Sequence, residues 1–222
     1  MKTRKDLGST VGTKACTPGN VGFTLIELLI VISILGLLAA VLLPNILGVT
    51  QAAKDTETEA TMLRLSTGCG TFERKHNYFP PDDLKWPDAE KKTPWKPDNG
   101  QNTGIESLVC FLSQSRADGE DLADLSKRFT NTDNDDHGVD MPTLQRKDRL
   151  ELADAWGTPL VYFGKFGMAK QATVAIAEGE TQFAKAKKRD DGRPYGDGKF
   201  QILSAGRDMI FGTDDDLVWP KN

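Results

Sequence analysis

The side chains best equipped for chemistry in this chain of 222 residues are carboxylates, and they fall into three settings. The segment from Leu203 to Leu217, LSAGRDMIFGTDDDL, is oxygen-rich, hinged by glycine and acidic. Such a segment suits a hard cation that needs six to eight oxygens. A second run, Asp133-Asn134-Asp135-Asp136-His137-Gly138, has the Asp-x-Asp start and sixth-position glycine of an EF-hand loop. Leu144 stands where the bidentate glutamate belongs, so this run reads as a solvated loop. The third setting is Glu27, the one ionisable side chain between Phe23 and Leu43. A carboxylate at membrane depth costs several kcal/mol and is seldom kept without a partner. The chain holds only two histidines, His76 and His137, and neither a His-Glu-x-x-His nor a Gly-x-Ser-x-Gly motif. The sequence therefore argues against a hydrolase.

The element that positions Glu27 is the run FTLIELLIVISILGLLAAVLL, which gives about 30 Å of helix, enough to cross a bilayer. Lys2, Arg4, Lys5 and Lys14 precede it against Asp6, and the first basic residue after it is Lys54. That bias predicts a cytoplasmic N-terminus, with residues 44–222 outside. The formal net charge is −4, and the leader carries +3 of it, which leaves −7 on the remainder. An acidic exterior argues against nucleic acid as a partner, because phosphate neutralisation needs clustered Lys and Arg, and it favours a divalent cation. Cys16 lies in the leader. Cys69 and Cys110 sit among apolar neighbours, where a cysteine acts as a small hydrophobe, although an oxidising exterior would also permit a disulfide.

Residues 1–22 carry Ser, Thr, Gly and Pro without apolar periodicity and read as a leader. A secretory signal keeps its apolar core upstream of the cut; here the small-residue site, Gly22, precedes the core, so cleavage there keeps the helix. From 44 to 79 the pattern stays helical but becomes amphipathic. One stripe is Ile46, Val49, Ala53, Ala60 and Leu63, with Lys54, Asp55, Glu57 and Glu59 between. A second stripe, Leu65, Cys69, Phe72 and Phe79, continues it until Pro80-Pro81 ends the helix. Pro44 removes one backbone hydrogen bond and predicts a bend, and Gly36 permits close helix approach.

Residues 82–103 read as a loop, and a short helix follows with Ile105, Leu108, Val109 and Leu112. Residues 113–150 carry no firm pattern. Strand-like runs stand at Leu160–Phe163, Phe200–Leu203 and Leu217–Trp219. A helix is expected near Ala169–Ala177, followed by a basic stretch, Lys185-Ala186-Lys187-Lys188-Arg189, read as a solvated face. The expected fold is α+β: a long N-terminal helix, membrane-spanning at 23–43 and amphipathic at 44–79, packed on a domain at 80–222 with short helices and a small antiparallel sheet.

The sequence Gly22-Phe23-Thr24-Leu25-Ile26-Glu27, followed by an apolar helix with Gly36 and Pro44, closely resembles the processing site and N-terminal helix of type IV pilins and pseudopilins. The resemblance implies that a prepilin peptidase cuts after Gly22 and methylates the new amine of Phe23. It also implies that the subunit polymerises through the helix, with Glu27 pairing with a neighbour's N-terminal amine to set register.

In order, Tyr78-Phe79-Pro80, Gly104–Val109, Asp154-Ala155-Trp156-Gly157-Thr158-Pro159 with Tyr162, and Ser204–Asp208 leading to Asp214–Leu217 with Trp219 resemble the major pseudopilin of type II secretion. That likeness implies a homopolymer working with other pseudopilins and an inner-membrane secretion platform. It places the chain in the bacterial inner membrane, its C-terminal domain periplasmic. It further implies a calcium loop with Asp208, Asp214 and Asp216 as ligands, supplemented by backbone carbonyls of Leu203 or Ser204. Met209 stands where that family has glycine. The alternative is a surface pilus for adhesion, motility or DNA uptake.

Overall fold

The computed structural model describes residues 23–88, 92–114, 122–177 and 179–221, without the side chains of 43–47 and 123. Helix α1 is Leu25–His76. The chain forms two compact units, Met1–Ile46 and Leu47–Asn222.

In the first unit the apolar side chains of α1 face outward all round. The span Leu25–Leu42 has a mean hydropathy of 2.9 and none of it is buried. It is the one helix among the described residues long and apolar enough to cross a membrane. A helix that is hydrophobic all round requires a lipid or protein surrounding.

The second unit begins with the rest of α1, followed by α2 (Thr103–Leu112), a 3-10 segment (Leu122–Arg128) and seven short strands. These are β1 (Phe129–Thr130), β2 (Glu151–Leu152), β3 (Val161–Gly164), β4 (Gln171–Ala177), β5 (Glu180–Lys185), β6 (Phe200–Ser204) and β7 (Leu217–Trp219). They pair antiparallel as three small sheets: β1 with β2, β4 with β5, and β3-β6-β7 with β6 in the centre. The α+β class and the three expected strand runs therefore stand.

The central sheet separates two apolar clusters, because successive side chains in a strand point to opposite faces. Tyr162, Phe200 and Ile202 pack with Met62, Leu65, Cys69 and Phe72 of α1 and with Ile105, Leu108, Phe111 and Leu112 of α2. Val161, Phe163 and Leu203 pack on the other side with Val174, Ala184 and Phe211. Each fully buried Leu, Ile or Phe here contributes about 1.5–3 kcal/mol relative to exposure.

Two expectations change. The Ala169–Ala177 region is not a helix but β4 of a hairpin with β5. Thr173, Val174 and Ile176 are β-branched, which favours a strand, and Val174 seats in the second cluster. The α1 face that enters the core is Thr58, Thr61, Met62, Leu65, Cys69 and Phe72, so the second stripe is internal. Val49, Ala53, Ala60 and Leu63 of the first stripe are exposed in the single chain. The acidic residues between them each find a basic partner: Asp55 with Arg207, Glu57 with Arg128, Glu59 with Lys221. Cys69 and Cys110 are both buried free thiols, in keeping with the apolar reading of their surroundings.

Candidate functional site

Thr24 and Glu27 begin α1 with a reciprocal capping box. The Glu27 carboxylate accepts bonds from the Thr24 backbone N–H at 2.9 Å and the Thr24 hydroxyl at 2.7 Å, while the Glu27 N–H donates to Thr24 Oγ1 at 3.3 Å. A Thr-x-x-Glu spacing places these groups together, since both flank the first helical turn. Within the single chain Glu27 thus has a local partner one turn back, toward Phe23, which is itself exposed. Gly22 lies outside the described residues. So does the Pro44 side chain, although α1 runs through that position.

In the second unit the separated sequence blocks converge. The Tyr162 hydroxyl donates to the Pro80 carbonyl at 2.7 Å. Gly104 lies so close to Tyr162 that an added Cβ would stand 2.1 Å from its carbonyl oxygen. Asp154 is buried and accepts five bonds through its carboxylate and backbone carbonyl: Trp156 N–H at 2.9 Å and Thr158 N–H at 3.0 Å on Oδ1, Ser204 Oγ–H at 2.6 Å on Oδ2, and Arg128 Nη1–H at 3.0 Å and Gly157 N–H at 3.2 Å on its carbonyl. Burial raises the Asp154 carboxyl above its ordinary pKa, and these donors offset part of that rise.

The C-terminal loop between β6 and β7 is tied mainly by a residue that sequence reasoning passed over, Asp215. Its Oδ2 accepts the N–H groups of Arg207 at 2.6 Å and Asp208 at 3.0 Å, and its Oδ1 accepts the Thr213 hydroxyl at 2.6 Å. These donors help hold its carboxyl below the ordinary range, the Thr213 hydroxyl first. Gly206, at φ 70°, brings its backbone against the Asp215 carbonyl, where a Cβ would stand 2.2 Å away. Met209 adopts φ 59°. That left-handed conformation is the one glycine takes at least cost.

Of the three expected ligands, Asp208 Oδ1 accepts the Ile210 N–H at 2.8 Å and Asp216 Oδ2 the Gly212 N–H at 2.9 Å, while Asp214 is exposed. Asp216 Oδ1 is buried without a hydrogen-bond partner, and burial raises this carboxyl. Leu203 and Ser204 lie in the central strand, in register with Val218 and Leu217. The ammonium of Lys187 donates to the carbonyls of Asp216 at 3.1 Å and Thr213 at 3.4 Å. One member of the basic stretch is therefore a half-buried cation seated on the loop, not a solvated face.

Residues 22–43 match the family described as the prokaryotic N-terminal methylation motif. The chain is 62% identical over 39 residues to the type IV wide pilus major component PilA4 of Thermus thermophilus, covering 18% of this chain and 30% of that protein. It is 42% identical over 55 residues to the type IV major pilin protein PilA of Myxococcus xanthus, covering 25% of each. The chain thus spans less than a third of the length of these curated relatives. No solved structure matches it.

Proposed function

We propose that this chain is a pilin-type filament subunit, cut after Gly22, N-methylated at Phe23 and polymerised through α1. The observation that carries the reading is an apolar, outward-facing helix at Leu25–Leu42, directly inside a methylation motif and holding one carboxylate, Glu27. Such a surface needs a bilayer before assembly and other copies of the helix afterwards. The motif and the pilin relatives support the type IV pilin-like superfamily, whose members are structural subunits and not enzymes. A single inner-membrane pass is compatible with the one apolar helix, and the charge bias supports a cytoplasmic N-terminus with the second unit periplasmic.

Within that class the reading is the major pseudopilin of a type II secretion system. Its support is the convergence of the Pro80, Gly104, Asp154, Tyr162 and Ser204 blocks described above, which lie outside the N-terminal segment that pilins share. The C-terminal loop is read as a weak calcium site through Asp208, Asp214 and Asp216, with the bare Asp216 Oδ1 as the favoured donor. Lys187 sits on the Asp216 and Thr213 carbonyls of that loop and places a positive charge beside the three aspartates.

Intact-mass and N-terminal peptide mass spectrometry of the membrane-extracted protein tests the subunit reading. The expected mature chain begins at N-methyl-Phe23, and Gly22→Ala is expected to leave the full-length precursor. Normal cutting in that variant overturns the reading. A deletion strain separates the two subclasses: loss of folded exoprotein secretion supports the pseudopilin, and loss of surface fibres with normal secretion supports the pilus.

A further inference from the structure

The second unit contains a buried acidic centre that neither the filament reading nor the C-terminal loop uses. Five carboxylates, Asp98, Glu106, Asp133, Asp135 and Glu151, cluster there, three of them, Asp98, Glu106 and Asp135, against the guanidinium of Arg149, which is fully buried. Two sets of three converge there, each with one oxygen per residue within 4.8 Å of the others: Asp98, Glu106 and Asp135, and Glu106, Asp133 and Glu151.

The two sets differ in what neutralises them. Arg149 serves the first: its Nη1 donates to Asp98 at 2.8 Å and to Asp135 at 2.5 Å, and its Nε stands 3.8 Å from Glu106 Oε2. Among the described residues the second set faces no cation besides Arg149, which reaches it only at Glu106. Glu106 is 0% exposed and neither of its oxygens has a hydrogen-bond partner. Glu151 is also 0% exposed, and its Oε2 is bare; so is Asp133 Oδ1. A buried charged oxygen without a donor is costly, and three sharing one centre are more so.

The remaining oxygens of this set are held by donors. Glu151 Oε1 accepts Asn102 Nδ2 at 2.7 Å and the backbone and hydroxyl of Thr132, both at 3.1 Å. Asp133 Oδ2 accepts Asn99 Nδ2 at 3.0 Å. Asn102 precedes α2 without capping it through its side chain, and spends its amide on Glu151, Thr132 and Ala175 instead. Outer oxygens held by amides and inner oxygens left bare form the two shells of a metal-ligand arrangement.

We propose that Glu106, Asp133 and Glu151 bind one calcium-class divalent cation inside the second unit. All-carboxylate ligation selects a hard cation, and a buried protein cage favours calcium over magnesium, which keeps most of its water. The sequence run from Asp133 to Gly138 has the opening of an EF-hand but lacks its glutamate; the fold supplies glutamates from α2 and β2 in its place. The competing occupant is a proton. Burial, then the neighbouring carboxylates, push Glu106 up to about 12, so a lone proton on Glu106 would relieve the same charge.

The test uses the full chain in detergent micelles, stripped with chelator and then exposed to calcium chloride or magnesium chloride. Bound metal is counted by mass spectrometry after desalting, beside thermal unfolding. One calcium per chain is expected in the Asp214→Ala, Asp216→Ala double variant, which removes the C-terminal loop ligands and leaves the buried centre alone to report. Glu106→Gln and Asp133→Asn, each added to that double variant, are expected to lose it and with it the calcium-dependent rise in Tm, magnesium substituting poorly. Glu106→Gln mimics a protonated glutamate, so in chelator its Tm is expected to equal or exceed that of the wild type; Asp133→Asn, at a half-exposed position, serves if it does not fold. Calcium retained by both variants, or none retained by the folded double variant, overturns the proposal in favour of the proton. N-terminal processing is unaffected by either outcome.

Discussion

The Ser204 hydroxyl donates a 2.6 Å hydrogen bond to Asp154 Oδ2, fastening the end of the central strand β6 to a turn fifty residues earlier in the chain. Both residues are buried, and the other Asp154 oxygen closes its own turn through the N–H groups of Trp156 and Thr158. Asp154→Ala leaves three donors without an acceptor. Each buried unpaired donor costs about 1–3 kcal/mol, so a loss of about 3–4 kcal/mol is expected. Asp154→Asn, which keeps one acceptor oxygen, is expected to lose less than half of that. Chemical denaturation of both variants followed by circular dichroism measures the difference, and equal losses would mean that shape rather than hydrogen bonding holds the turn.

The Thr24–Glu27 capping box separates two roles of one carboxylate. Thr24→Ala removes the cap, a change of about 1 kcal/mol at the first turn, and leaves Glu27 charged. Glu27→Ala removes the cap and also the charge available to a neighbour's amine. Both variants are expected to be cut and inserted, but only Thr24→Ala to form filaments visible by electron microscopy. Filaments from Glu27→Ala would show that apolar packing alone sets the register.

Much of this architecture is legible in the sequence, and the exceptions have physical causes. The apolar run and the strands around Tyr162, Ile202 and Val218 are local patterns, so they read directly. The β4–β5 hairpin does not, because Ala172, Ala175 and Ala177 dilute the alternation that Thr173, Val174 and Ile176 would otherwise display. The choice between the two α1 stripes is set by what the domain presents: the Ala155 N–H reaches Thr58 Oγ1 at 3.1 Å, a pairing across 97 positions. The acidic centre is the extreme case. Asp133 announces itself within a recognisable run, but Glu106 and Glu151 are single glutamates in an apolar helix and a two-residue strand. Only the fold brings them together.

His137 provides a pH test. It is buried beside Cys110, whose Sγ lies 3.6 Å from Nδ1, and burial followed by the charge of Arg149 pulls its pKa down from 6.5 to about 4, with Asp136 and Asp148 opposing. The unfolded imidazole takes a proton near 6.5 and the folded one does not. The neutral ring therefore contributes stability fully above pH 6.5, and that contribution is lost as pH falls toward 4. Of the two histidines in the chain, the imidazole resonance that disappears in His137→Gln is expected to remain neutral in NMR titration until about pH 4. A midpoint at its ordinary value would mean that the ring is hydrated.

The final prediction concerns Lys187 and the C-terminal loop. Its ammonium sits on the Asp216 and Thr213 carbonyls, where a calcium ion bound by Asp208, Asp214 and Asp216 would draw on the same oxygens. A resident cation lowers the affinity for an incoming one, both by occupying carbonyl lone pairs and by repulsion. Lys187→Met removes the charge while keeping an unbranched side chain of similar length. Without calcium this variant is expected to melt below the wild type, because the loop carbonyls lose their donor. With calcium the order is expected to narrow or reverse, the loop Kd falling about tenfold, which corresponds to about 1.4 kcal/mol. Calorimetric titration in a Glu106→Gln background silences the buried centre, so that only the loop reports. Asp214→Ala with Asp216→Ala in the same background is expected to abolish the signal. An unchanged Kd in Lys187→Met would show that the ammonium and the calcium ion do not share oxygens, and no binding in any variant would reduce the loop to a turn held by Asp215.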